Sequence, residues 1–61
     1  MKQYILISDR WSRESSVQCT FADLQEQAKV YGGPVTVEEV IRHGQDVVID
    51  NTGEVIAEEI N

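Results

Sequence analysis

The 61-residue sequence has one cysteine, one proline, one histidine, one tryptophan and only five lysine or arginine residues. A lone Cys19 excludes an internal disulfide. With His43 the only imidazole, no Cys and His set stands at metal-ligand spacing, so neither usual staple of a very small domain is available and no cofactor or metal is expected. The longest uninterrupted apolar run, Tyr4 to Ile7, falls far short of the roughly 20 residues needed to cross a bilayer as a helix. No basic leader precedes an apolar stretch of signal length, so the expected location is cytoplasmic, in the host cytoplasm if the chain is phage-encoded. Five bases against eleven acids give a formal charge of −6, which opposes direct binding to nucleic acid or to an anionic membrane. No internal repeat, low-complexity tract or linker is visible, so residues 1–61 are read as a single small domain.

What is present is a globular composition, 41% hydrophobic with 7% aromatic residues. A domain of this length buries only about 60% of the surface its unfolded chain exposes, so its stability is marginal and self-association would add burial. The segment Lys2 to Ser8 is rich in β-branched and aromatic residues and predicts a central strand. Ser16-Val17-Gln18-Cys19 alternates polar and apolar and can return antiparallel beside it. Thr20 is placed as an N-cap with Asp23 three residues on and Cys19 spaced to staple on Leu24, predicting a helix from Phe21 whose apolar stripe is Phe21, Leu24, Ala28 and Tyr31. Gly32-Gly33-Pro34 ends it. Thr36-Val37-Glu38-Glu39 fits a capping box and predicts a second, short helix from Val37 to His43, closed by Gly44.

Asp46 to Asp50 and Glu54 to Glu58 flank Asn51-Thr52-Gly53, the pattern of a three-residue hairpin loop. The expected register pairs Asp50 with Glu54, Ile49 with Val55, Val48 with Ile56, Val47 with Ala57 and Asp46 with Glu58. Alternation then turns Val47, Ile49, Val55 and Ala57 to the core. The expected class is α+β: a small antiparallel or mixed sheet of three to four strands with one longer and one short helix packed on one face.

Charge is unevenly placed. Residues 1–35 hold four acids and four bases, whereas residues 36–61 hold seven acids against Arg42 alone. In the expected register Asp46, Asp50, Glu54 and Glu58 surround Val48 and Ile56 on the outer hairpin face, acid opposite acid, which does not favour folding. Such a face either docks on a basic surface or keeps an edge strand soluble. Trp11, between Arg10 and Arg13 in a polar loop, is either a contact anchor or a cover for one end of the core.

Catalysis is not expected. Cys19 before a helix start and His43 are the only nucleophile and base that could pair, and no third group orients them. Asp50 to Glu54 lacks the spacing of a calcium loop, and Gly32-Gly33 lacks the Lys of a phosphate loop. The function expected is a non-enzymatic, acidic protein-binding domain, an inhibitor or modulator docking on a basic surface of a nucleic-acid-processing protein. Its contact residues would be Asp46, Val48, Asp50, Glu54, Ile56, Glu58 and Trp11. Phage inhibitors of host nucleases, anti-CRISPR proteins among them, offer an analogy of size and charge. The alternative is an assembly module or accessory subunit, for instance a homodimer, acting through a strand edge with Val48, Ile56 and Ile60.

Overall fold

Runs of Val, Ile and Tyr broken by short turns build a sheet when each run finds a neighbour, and here five of them do. The computed structural model describes residues 2–8, 10–11, 17–31 and 35–60. The strands are β1 (Tyr4–Leu6), β2 (Val17–Cys19), β3 (Val37–Arg42), β4 (Gln45–Asp50) and β5 (Val55–Glu59), with one helix, α1 (Phe21–Tyr31), between β2 and β3. All strand pairs are antiparallel, in the order β2-β1-β5-β4-β3. The expectation of three to four strands with two helices is therefore corrected, among the described residues, to five antiparallel strands in one sheet and a single helix.

The N-terminal half follows the pattern of its residues. β2 returns antiparallel beside β1, with Tyr4 opposite Cys19 and Leu6 opposite Val17. β1 is an interior strand, although the middle position belongs to β5. The helix starts as a capping box with Asp in the acidic role: the Asp23 N–H donates to Thr20 Oγ1 at 3.2 Å and the Thr20 N–H donates to Asp23 Oδ2 at 2.9 Å. Leu24 and Ala28 are buried and Phe21 packs half-buried against the same cluster. The helix stop expected at Gly32-Gly33-Pro34, Ser16 of the second strand and the side chains of Val17 and Tyr31 lie outside the described residues.

The expected second helix is a strand. Val37, Val40 and Ile41 are β-branched, and pairing with β4 along Val37–Asp50 to Arg42–Gln45 gives them cross-strand partners that a two-turn helix would not. Thr36 begins no helix. The glycine read as a helix end belongs to a two-residue hairpin turn, with φ of 54° at His43 and 76° at Gly44. Two successive positive φ values are what the type I′ hairpin turn requires.

The second hairpin keeps its predicted loop. Gly53 has φ of 87°, its N–H donates to the Asp50 carbonyl, and the Asp50 N–H donates to the Glu54 carbonyl, each at 3.0 Å. Beyond Ile49–Val55 the expected register fails, because the ladder shifts between Val48 and Ile49 so that Val48 faces Ala57 and Val47 faces Glu58. This β-bulge makes Ile56 the extra residue, and Ile56 and Ala57, though adjacent, are both fully buried. Of the residues expected to face the core, Ala57 does so, whereas Ile49, Val55 and the buried Val47 lie on the opposite face. Val48, Ile56 and Ala57 join Tyr4, Leu6, Trp11, Cys19, Leu24 and Ala28 in the core, whereas the pairing places Val47, Ile49 and Val55 on the other face with Ile5 and Val40. Three successive apolar residues in β4 satisfy either face, so alternation alone could not choose.

The β3–β4 turn yields a test. His43 carries a Cβ in the left-handed region, where Asn is better tolerated. His43→Asn is expected to stabilise the fold by about 0.5–1 kcal/mol, raising Tm by roughly 4 °C. An unchanged or lower Tm in thermal circular dichroism would reject the assigned turn.

Candidate functional site

The acids fall into separate environments instead of one outer hairpin face. Asp50 is 6% exposed and folded into its own loop. Its Oδ1 accepts from the Thr52 N–H at 2.9 Å, the Thr52 hydroxyl at 2.6 Å and the Glu54 N–H at 3.1 Å. Burial pushes the carboxyl pKa up, but these hydrogen bonds and the nearby Arg10 charge outweigh it and hold the group below its ordinary value. Glu54 accepts from Ser8 Oγ at 2.8 Å and lies 3.6 Å from Arg10. Glu58 pairs in register with Ile5 and Val47 on the face away from the helix.

Three further carboxylates gather on the core side of the sheet, at the end nearer the His43–Gly44 turn. Registers Glu39–Val48, Ile41–Asp46 and Tyr4–Glu59 bring Glu39, Asp46 and Glu59 from three strands onto that side. The Tyr4 hydroxyl donates to Glu39, and Lys2 forms an ion pair with Asp46. Lys2 is held above its ordinary pKa first by its hydrogen bond to Asp46 and, against some desolvation, by the charges of Asp46, Glu59 and Glu39. The Tyr4 phenol is raised first by burial, then by its bond to Glu39 and by the same three carboxylates. Both groups therefore sense one local negative field. Ile41, 73% exposed, stands directly opposite Asp46, and Glu39 is exposed beside it.

The seven residues singled out from sequence are thus not brought together. Val48 and Ile56 are fully buried and present no anchor at the surface, and Trp11 is 6% exposed within the core cluster. Of that set Asp46 alone enters the acidic patch. Glu39 and Ile41 were missed because residues 37–43 were read as a helix, and Glu59 because the expected hairpin arm stopped at Glu58. The available signal was the β-branched run ending in His43-Gly44, which as a strand sets Glu39 and Ile41 beside β4.

Cys19 and His43 do not meet. Cys19 is on edge strand β2 and His43 follows the opposite edge β3, four strand spacings or roughly 19 Å away. Burial, with Asp23 nearby, pushes the Cys19 thiol up, away from a reactive thiolate. Among the described residues no group of three His, Cys, Asp or Glu side chains is arranged to hold a metal ion, and no helix is long and apolar enough to cross a membrane. Comparison of the chain with protein-family models, curated proteins and solved structures finds no match.

Two expected outcomes follow from these contacts. Because the folded pKa of Asp50 is depressed, its contribution is present above the unfolded value near pH 4 and lost as pH falls through the folded value. Asp50→Ala should therefore cost about 2 kcal/mol in urea unfolding at pH 7 and much less near pH 2. Equal losses at both pH values would contradict the assignment. Trp11→Ala should cost about 3 kcal/mol or more by emptying a core position, read as a large fall in Tm. A Tm within a degree of wild type would instead identify Trp11 as dispensable to the core.

Proposed function

We propose that the chain is a non-enzymatic protein-binding domain, an inhibitor or modulator that docks on a basic surface of a nucleic-acid-processing protein. The supporting observation is the convergence of Glu39, Asp46 and Glu59 from three adjacent strands, with Lys2 the one cation paired within the patch among the described residues. A surface that binds phosphates is lined with Lys and Arg, and clustered carboxylates offer it a complementary potential that accelerates encounter and orients the complex. Ile41 adds an apolar contact in the middle of that charge. The fold uses Glu39 and Asp46 to hold Tyr4 and Lys2 but gives Glu59 no such contact among the described residues, and its like charge on a neighbouring strand opposes folding mildly. An acidic phage inhibitor of a host defence nuclease, of the anti-CRISPR kind, is the biological role that suits this chemistry by analogy of size and charge.

The test is affinity capture from a host lysate on wild-type chain and on the Glu39→Lys/Glu59→Lys variant, with release by a salt gradient. Asp46 stays unchanged to preserve its bond to Lys2. A nucleic-acid enzyme held by the wild type, released early in salt and bound at least about tenfold more weakly by the folded variant is the expected result. A partner retained equally by both chains, or none besides the chain itself, would overturn the reading.

A further inference from the structure

We propose that the chain forms a symmetric dimer by pairing β3 with β3 of a second copy, in an antiparallel register centred on Val40. This inference does not rest on the docking role of the acidic patch. β3 is the last strand of the sheet, six residues long and with no register shift in its ladder to β4. The opposite edge, β2, has only three residues. The two-residue turn makes Arg42 and Gln45 the closing pair, so the backbone groups of Glu38, Val40 and Arg42 face β4, and those of Val37, Glu39 and Ile41 point outward. No described residue pairs with that outward row, which is a template for a further strand.

The side chains specify the strand that fits. A two-fold axis perpendicular to the sheet keeps each residue on its own face, so only residues of like parity can stand opposite one another across the new seam. Centring on Glu39 sets Glu39 against its own copy, and centring on Ile41 sets Val40 against Arg42. Centring on Val40 sets Val40 against Val40, Glu38 against Arg42 twice, and Glu39 against Ile41 twice. In that register every charged contact is between opposite signs, and Ile41, 73% exposed in the single chain, lies under the Glu39 stem of the neighbour. Among the described residues neither Glu38 nor Arg42 has an ion-pair partner within its own chain. Glu39 and Ile41 would exchange the backbone hydrogen bonds, and the non-hydrogen-bonded positions, whose side chains approach more closely, would be Val40 and the Glu38–Arg42 pairs.

Sedimentation over a micromolar to millimolar series at physiological ionic strength tests the proposal. Wild-type mass should rise from one chain toward two. Glu38→Arg and Arg42→Glu should each weaken self-association by at least about tenfold, because each turns both cross-strand contacts repulsive. An equimolar mixture of the two variants, and the E38R/R42E double variant, should recover association, which also shows that the altered chains fold. A single-chain mass at every concentration, single variants that associate like wild type, or charge swaps that fail to restore association would each overturn the proposed seam.

Discussion

The bulge on β5 determines the side of the sheet that each later residue occupies. One extra residue, Ile56, sets both Ile56 and Ala57 against the helix-bearing side and aligns Val48 with Ala57. From that alignment the ladder to β3 puts Glu39 beside Val48 and Ile41 beside Asp46. A regular ladder beyond Ile49–Val55 would oppose Val48 to Ile56 and Asp46 to Glu58, whereas the shifted ladder pairs Glu58 with Val47 and brings Glu59 level with Asp46. The bulge thus serves packing, filling the centre of a small core with two consecutive apolar side chains.

A single helix cannot cover five strands, so the chain covers its core with loop residues as well. Trp11 folds over the cluster from the turn that its N–H closes on the Ser8 carbonyl at 3.1 Å. At the other hairpin Asp50 spends its carboxylate on three donors of its own loop. Both residues look like binding groups when only composition is considered, an aromatic among arginines and an acid among acids. Their burial gives them structural work instead. For a domain with little core in reserve, removing either is expected to be felt throughout the fold.

Local signals were legible where one residue type has one use. Thr20 and Asp23 announced the helix start, and Gly53 announced the three-residue loop. Sequence reading failed where two conformations share a signature. Thr36-Val37-Glu38-Glu39 carries a capping box and a β-branched run at once, and the long-range pairing with β4, invisible in the local pattern, chose the strand. His43-Gly44 likewise suits a helix end or a tight hairpin turn, with His an uncommon occupant of the first position. The face of β4 was undetermined because Val47, Val48 and Ile49 are all apolar, and only the bulge on its neighbour breaks that tie.

The excess of acid divides by whether the fold uses each group. Asp23 caps the helix, Asp50 organises its loop, Glu54 meets Ser8 and Arg10, and Glu39 and Asp46 hold Tyr4 and Lys2. Glu38, Glu58 and Glu59 have no side-chain partner among the described residues. Their positions differ in consequence. Glu59 adds its charge to a patch in which Lys2, the one paired cation among the described residues, is already committed to Asp46, so the local field remains negative. Glu38 lies on the free edge two residues from Val40, with Arg42 the same distance beyond, so in the proposed seam a second copy neutralises it while covering Glu39 and Ile41 of the patch. The proposed seam and the proposed docking patch therefore share Glu39 and Ile41, and the two contacts compete for them.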